Sequence, residues 1–390
     1  MKILFIISVH GHGRGGHFHS LNHISRKIGE NNDVKIISIG PGKSSIITSN
    51  PYFFKHIDFN GFNLLHLKAE INKLTSKFYP DIYHCFDVGS YNIIRLLVSS
   101  KKHKIILNKC GGPNPIKYPH IHNIILFSNE NFVWFKNKKK YLHSNISLIP
   151  NRVKSLLPNT IFQPIKKEPD EFVFLRICRI GASYNKSIID SVLLIEKLIL
   201  KNIRNVKLYV VGVIEDYDIF EKLNGHILVK NGSVIFLTDP TYTTEASKML
   251  YIADAVIGTG RGLMEAASLS IPILTINKNG DIPVLLDSDN FFDAFKTNFS
   301  ERNVFTCHNY EKNLHNIMSI TNNKIYYDEI SKCSRQIFDE YFNIDNSSQA
   351  YNSAYISAIN GEKKLIRDFF VIIISLLNFF RNYSKKEKKK

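Results

Sequence analysis

The chain has 390 residues, a formal net charge of +17 and a hydrophobic fraction of 44%. That length favours two domains over one core, and that apolar content excludes a wholly disordered polypeptide. The charge asks for a polyanionic partner, but no nucleic-acid-binding motif accompanies it, leaving anionic lipid or a phosphorylated substrate.

The N-terminus offers Lys2 and a short apolar run over 3–9 before a turn rich in histidine and glycine. Without a small-residue cleavage site this reads as a first strand, not a signal peptide. Further strands are expected at 34–39, 64–67, 82–85, 104–107, 123–127 and 146–149. A second alternation gives strands at 172–176, 206–211, 234–236, 255–257 and 273–276. Short apolar runs spaced by helices argue for parallel α/β sheets buried on both faces. Between the two sets lie Pro150-Asn151-Arg152-Val153 and a polar stretch to Pro169, an expected linker. The expected division is 1–155 and 156–335 as two doubly wound domains. Helices follow over 336–361 (Phe338, Tyr341, Phe342, Tyr351, Tyr355 and Ile359 at helical spacing), and 362–390 is a tail. Two such sheets would leave a cleft at their strand ends, where ligands bind. Cys85, Cys110, Cys178, Cys307 and Cys333 form no C-x-x-C pair, which suits reduced thiols in a cytosolic protein.

Gly11, Gly13 and Gly16 have the spacing of a dinucleotide fingerprint. The second strand, however, ends Ser38-Ile39-Gly40-Pro41 with no carboxylate for a ribose, which disfavours nicotinamide cofactors. What survives is a loop with free N–H groups and Arg14. His10, His12, His17, His19 and His23 crowd the same loop without interleaved cysteine or acidic ligands, so polar lining is expected there instead of a metal. Arg176, Arg179 and Lys186 place cations just past the first strand of the second domain, where a diphosphate leaving group needs its charge neutralised. In Gly258-Thr259-Gly260-Arg261-Gly262-Leu263-Met264-Glu265, a tight turn opens a helix whose N–H groups suit a phosphate. Its carboxylate suits the hydroxyls of a ribose. Asp287-Ser288-Asp289 is formally an Asp-x-Asp metal motif, but it reads as a helix-terminus cap. The tail holds an apolar run over 369–380 flanked by Lys and Arg. It is too short to span a bilayer and suits attachment to an anionic membrane surface.

Together these pieces resemble the glycosyltransferase family 4 enzymes over most of residues 1–345. The resemblance rests on Gly13-Arg14-Gly15-Gly16-His17, Lys109-Cys110-Gly111-Gly112-Pro113, Ile149-Pro150-Asn151-Arg152-Val153, Arg179 with Lys186, Val210-Val211-Gly212, and Ala253-Asp254 leading into Gly258 to Glu265. It implies the GT-B architecture: two Rossmann-like domains facing across a cleft, with C-terminal helices packing back on the first. It also implies a retaining, metal-independent and cofactor-free transfer from a nucleotide-diphosphate sugar to a surface polysaccharide or lipid-linked glycan. By the same resemblance Arg179 and Lys186 hold the diphosphate and Glu265 the ribose. Main-chain groups near Leu263 and Met264 meet the phosphate. Gly15, Gly16, Gly212, Gly260, Arg261 and Gly262 complete the donor site, and Arg14, His17, His84 and Lys109 serve the acceptor. The acceptor hydroxyl would attack on the leaving group's own face.

Two departures stand out. The family's first glutamate, eight positions before Glu265, is Ile257 here, leaving Thr259 or Arg261 to cover part of its role. Phe86 stands where a second histidine is usual. The competing readings are a nucleotide-sugar 2-epimerase of the same fold, for which the glycine loop offers no acid/base carboxylate, and a non-catalytic binding subunit. Retention of Arg179, Lys186 and Glu265 argues against the latter. The expected location is the cytoplasmic face of the cell membrane.

Overall fold

The structure is a computed structural model that describes residues 1–98, 104–203, 205–306, 309–361 and 369–387. Cys307 and the tail cations Lys363, Lys364, Arg367 and 388–390 lie outside the described residues. The chain forms two compact units, residues 1–152 with 344–390 and residues 153–343.

The first unit is built on β1 (Lys2–Ser8), β2 (Asp33–Ile39), β3 (Phe53–Ile57), β4 (Ile82–Cys85), β5 (Lys104–Lys109), β6 (Asn123–Leu126) and β7 (Asn145–Leu148). All pair in parallel, in the order β3-β2-β1-β4-β5-β6-β7. Alternation along β1 explains the double winding, because successive side chains point to opposite faces. Ile3, Phe5 and Ile7 enter one core with Phe18, Leu21 and Ile24, whereas Leu4 and Ile6 enter another with Leu67, Ile71 and Phe135.

The strand expected at 64–67 is instead the start of a helix, Leu64–Phe78. Leu67, Ile71, Leu74 and Phe78 are buried at helical spacing along it. The third strand lies earlier, at β3. As an edge strand with Phe54 and Lys55 exposed, it lacks the continuous apolar run of its neighbours.

The second unit contains β8 (Phe172–Ile177), β9 (Val206–Val211), β10 (Val234–Leu237), β11 (Ala255–Gly258), β12 (Ile273–Thr275) and β13 (Val284–Leu285), in the order β10-β9-β8-β11-β12-β13. The first five are parallel. β13 pairs antiparallel with β12, so 282–286 holds a short strand. Val173 and Leu175 face one core and Phe174 the other.

The 336–361 stretch divides between the units. The π-helical turn Phe338–Phe342 buries Phe338 and Phe342 in the second unit. The helix Ser348–Asn360 buries Tyr351 and Tyr355 against the first. Unit boundaries fall inside the expected linker and past residue 335: Asn151 accepts from Ser20 Oγ at 2.8 Å, and the Val153 N–H donates to the Phe342 carbonyl. The tail forms a helix, Phe369–Glu387, packed on the helix Val88–Leu97 through an Asn92–Ser375 bond of 2.8 Å. No described helix is long and apolar enough to cross a membrane.

Candidate functional site

In each unit the strand order reverses beside the first strand, between β1 and β4 and between β8 and β11. Loops at the C-terminal ends of such strands are where open α/β sheets bind ligands.

In the second unit β11 ends at Gly258, and the helix Arg261–Ser268 starts after two intervening residues. Gly260 makes the turn at φ +54° and ψ −127°, a conformation that requires glycine. Its N–H is anchored on the Phe299 carbonyl at 2.9 Å. No side chain caps this helix, so its first-turn N–H groups face the strand-end side with the positive end of the helix dipole. The Leu263 and Met264 side chains are wholly buried in the core, which leaves only their main chain for a ligand. Glu265 is 5% exposed, and the Arg261 guanidinium lies 3.0 Å from its carboxylate. Burial raises the Glu265 carboxyl above its ordinary pKa, and Arg261 opposes the rise.

From the adjoining β8 come the cations. Arg179 pairs with Glu215 at 2.6 Å and lies over the Tyr184 ring, with both charged groups well exposed. Lys186, in the first turn of the helix Asn185–Leu200, donates to Asp190 at 2.5 Å and to the Gly280 carbonyl at 2.7 Å. Asp190 is buried, which raises its pKa against the pull of Lys186. Arg176 is wholly buried. It donates to the Ile257 carbonyl at 3.3 Å, to Ser187 at 2.8 Å and to Glu301 at 3.1 Å. Four cations along this edge thus each have a carboxylate partner.

Gly212, expected to bind donor, is instead a packing position. It is buried, and a Cβ there would stand 1.6 Å from the Cys178 carbonyl oxygen. The glycine lets the loops after β8 and β9 touch. Gly262 contrasts with it, since a Cβ there would meet nothing within 4 Å. Asp287 turns its carboxylate onto the N–H groups of Asp289 and Asn290, both at 3.0 Å, just before the helix Phe291–Lys296.

In the first unit the loop after β1 leads into the uncapped helix Gly16–Gly29. Arg14, Gly15 and Gly16 are exposed. Gly13, at φ +58°, is pressed onto Ser44, whose hydroxyl donates to its carbonyl at 2.6 Å. His17 is half-buried against the Phe18 ring. Desolvation lowers its pKa, with Asp87 opposing.

One expected acceptor residue, His84, is not presented to a ligand, and a second, Lys109, is engaged locally. His84 is wholly buried, its Nδ1 3.0 Å from the Tyr355 hydroxyl, and burial pushes its pKa down to about 3. Its place on β4, buried on both faces, makes it a core residue. Lys109 donates to the carbonyls of Gly111 and Gly112 and, at 3.0 Å, to Asn131 Oδ1. It braces its own turn.

Sequence reasoning missed Asp87, Glu215, Asp190 and Glu301. Asp87 caps the helix Val88–Leu97 through Ser90 N at 2.8 Å and also accepts from Ser8 N at 2.7 Å. One available signal was Arg176 inside the apolar run Phe172–Ile177, since a guanidinium buried there demands a carboxylate.

Residues 2–145 match the family described as glycosyl transferase 4-like. No curated protein matches the chain. Among solved structures, a glycosyltransferase from Rickettsia africae aligns at TM-score 0.63 and 14% identity, covering 93% of this chain and 99% of that one. The Anabaena HepE protein in complex with UDP and glucose aligns at TM-score 0.61 and 14% identity, covering 92% and 100%. A point mutant of TarM from S. aureus, in complex with fondaparinux, α-GlcNAc-glycerol and UDP, aligns at TM-score 0.60 and 14% identity, covering 92% and 100%. At such identities the likeness is one of fold, the GT-B fold.

Proposed function

We propose that this glycosyl transferase 4-like protein moves a sugar from a nucleotide-diphosphate donor to a hydroxyl of a lipid-linked glycan or surface polysaccharide precursor, with retention and without a metal. The observation that carries the reading is the strand-end edge of the second unit. There the loops after β8 and β11, which pair directly, bring Arg179, Lys186 and an uncapped helix start to one side of the sheet.

In this reading the donor diphosphate meets Arg179, Lys186 and the N–H groups that open the helix Arg261–Ser268, with Gly260 and Gly262 leaving room for it. Glu265 accepts from the ribose hydroxyls, and Arg261 opposes the rise in its pKa that burial causes. The diphosphate must compete with Glu215 for Arg179. An exposed ion pair is worth only about 0–1 kcal/mol, so Arg179 is readily redirected. Lys186, held by Asp190 and a carbonyl, is positioned in advance. As the bond from the anomeric carbon to the phosphate oxygen breaks, the acceptor oxygen bonds to the same face. The departing phosphate takes the acceptor's proton. Stabilising the charge that develops on that phosphate is where fixed cations lower the barrier.

Acceptor recognition is assigned to Arg14 and His17. The C-terminal helix holds the protein to the inner face of the cell membrane. Purified protein incubated with a panel of nucleotide sugars, with and without a membrane lipid extract, tests the reading. Nucleoside diphosphate should be released only with the right donor and rise with acceptor. Release of free nucleotide that ignores acceptor, or product epimerised at the sugar, would overturn it.

A further inference from the structure

Two stretches separated by more than two hundred residues, one basic and one apolar with a basic end, are brought together by the fold of the first unit. One is the segment around Lys136–Lys140; the other is the C-terminal helix Phe369–Glu387. They share a depression of about 550 Å³ lined by Ile116, Lys117, Trp134, Lys138, Lys140 and Phe370, among others.

The helix has two faces. Ile372, Ser375 and Phe379 are buried against the unit. Phe370, Ile373, Ile374, Leu377 and Phe380 are each 37–61% exposed, and their spacing makes one outward apolar stripe. Beside it Ile116 is 99% exposed, the Lys117 ammonium sits 5.4 Å over the Phe370 ring, and Lys138 sits 5.2 Å over Trp134. From 104 to 145 the sequence holds seven lysines and a single carboxylate, Glu130. The last turn of the helix adds Lys385.

We infer that this composite face, the outward stripe of the C-terminal helix with the Lys117–Trp134–Lys138 corner, is a docking surface for an anionic lipid bilayer. An apolar stripe rimmed by lysines and an amphipathic indole matches the interface of such a membrane, where acyl chains lie beneath negative headgroups. The inward side of the same helix meets the loops at the C-terminal ends of the strands. Phe379 lies 4.7 Å from the His10 ring and 4.9 Å from Phe59, and Lys386 donates to the Pro41 carbonyl at 2.5 Å. One helix diameter, about 10 Å, therefore separates the bilayer from the loop that starts at His10. That distance suits an acceptor hydroxyl carried on a lipid headgroup. The docking surface deepens the membrane attachment given in the proposed function, and the last step rests on the transfer chemistry proposed there.

Trp134 is the only tryptophan in the chain, so its fluorescence reports on this face alone. Full-length protein is mixed with vesicles of phosphatidylcholine, or of phosphatidylcholine with phosphatidylglycerol, each with brominated acyl chains. Flotation and quenching are read together. Anionic vesicles should bind the protein and quench Trp134 at low salt. Both signals should fall at 1 M salt, where the screening length is about 3 Å. Lys117→Glu/Lys138→Glu should weaken partitioning by roughly 30-fold or more, since each near-surface lysine contributes about 1 kcal/mol. Ile373→Ser/Leu377→Ser, at exposed positions, should abolish quenching while circular dichroism stays unchanged. Binding without quenching of Trp134, equal binding to neutral vesicles, or absence of binding at low salt would overturn the inference. So would a concentration-dependent dimer abolished by Ile373→Ser/Leu377→Ser, which would make a second copy the occupant.

Discussion

The Arg261 guanidinium lies 3.0 Å from the Glu265 carboxylate one turn further along the same helix, and that carboxylate is 5% exposed. Burial of that carboxylate is unfavourable for folding, while its oxygens are useful for binding a hydroxyl.

Glu265→Gln should therefore separate stability from binding. Nucleoside diphosphate affinity should fall by about 10- to 100-fold, the loss of a charge-assisted hydrogen bond worth roughly 1.5–3 kcal/mol. The fold should be as stable as the parent or more so at neutral pH. Burial raises the folded pKa of Glu265, so its stabilising contribution is complete below the unfolded pKa and is lost as pH rises through the folded one. Glutamine has no such loss. Calorimetry and denaturant midpoints on the same samples check both halves; unchanged affinity would remove Glu265 from the site. With Arg261→Ala the carboxyl loses the group that opposes its rise, so nucleotide affinity should fall on acidification from a higher pH than in the parent.

Arg179 and Glu215 offer a test of opposite sign. Arg179→Ala should lower kcat by about 100- to 1,000-fold, as removal of one charge-stabilising donor does. Glu215→Gln releases the same guanidinium, so donor affinity should hold or improve. Stability should change by no more than about 0.5 kcal/mol, because both groups are exposed. A Glu215→Gln enzyme as impaired as Arg179→Ala would give the carboxylate a role in the chemistry.

Gly212 and Gly262 stand in the same expected donor set and should behave differently. Gly212→Ala drives a Cβ into the Cys178 carbonyl and should destabilise the second unit by about 1–3 kcal/mol or more. Gly262→Ala meets open space, so stability should hold while the new methyl crowds the helix start and donor affinity falls. Thermal melts with titrations separate the two.

The parts of the fold legible in the sequence are those with one strong local signal. β1, β4 and β9 are buried on both faces and read as apolar runs, whereas β3 at the sheet edge does not. Arg179, Lys186 and Glu265 announce themselves by position after a strand or a glycine turn. Their partners do not: Glu301 reaches Arg176 from 125 residues away, and nothing local to it marks the contact. Lys109 and His84 entered the expected site through the family resemblance. What decides their roles is tertiary, the carbonyls that Lys109 meets and the helix Ser348–Asn360 that covers His84. The tail's apolar run was visible, but its division into a packed and an outward face needed the surface on which it lies.

His84 gives a pH test of that reassignment. Its pKa, held at about 3 by burial, lies below the unfolded value near 6.5. Its contribution to stability is complete above the unfolded pKa and is lost as pH falls toward the folded one. His84→Gln should flatten the stability profile between those limits and leave kcat/KM for acceptor unchanged. A selective rise in acceptor KM would return His84 to the site.

The most direct measurement is nucleoside diphosphate release from the accepted nucleotide sugar by wild-type protein and by Arg179→Ala/Lys186→Ala, with a membrane lipid extract as acceptor. The account predicts steady turnover for the wild type, transfer of the sugar into the lipid fraction, and a double variant that still folds but is nearly inactive. Equal turnover by the double variant, or a wild type that never moves sugar from any nucleotide donor, would contradict it.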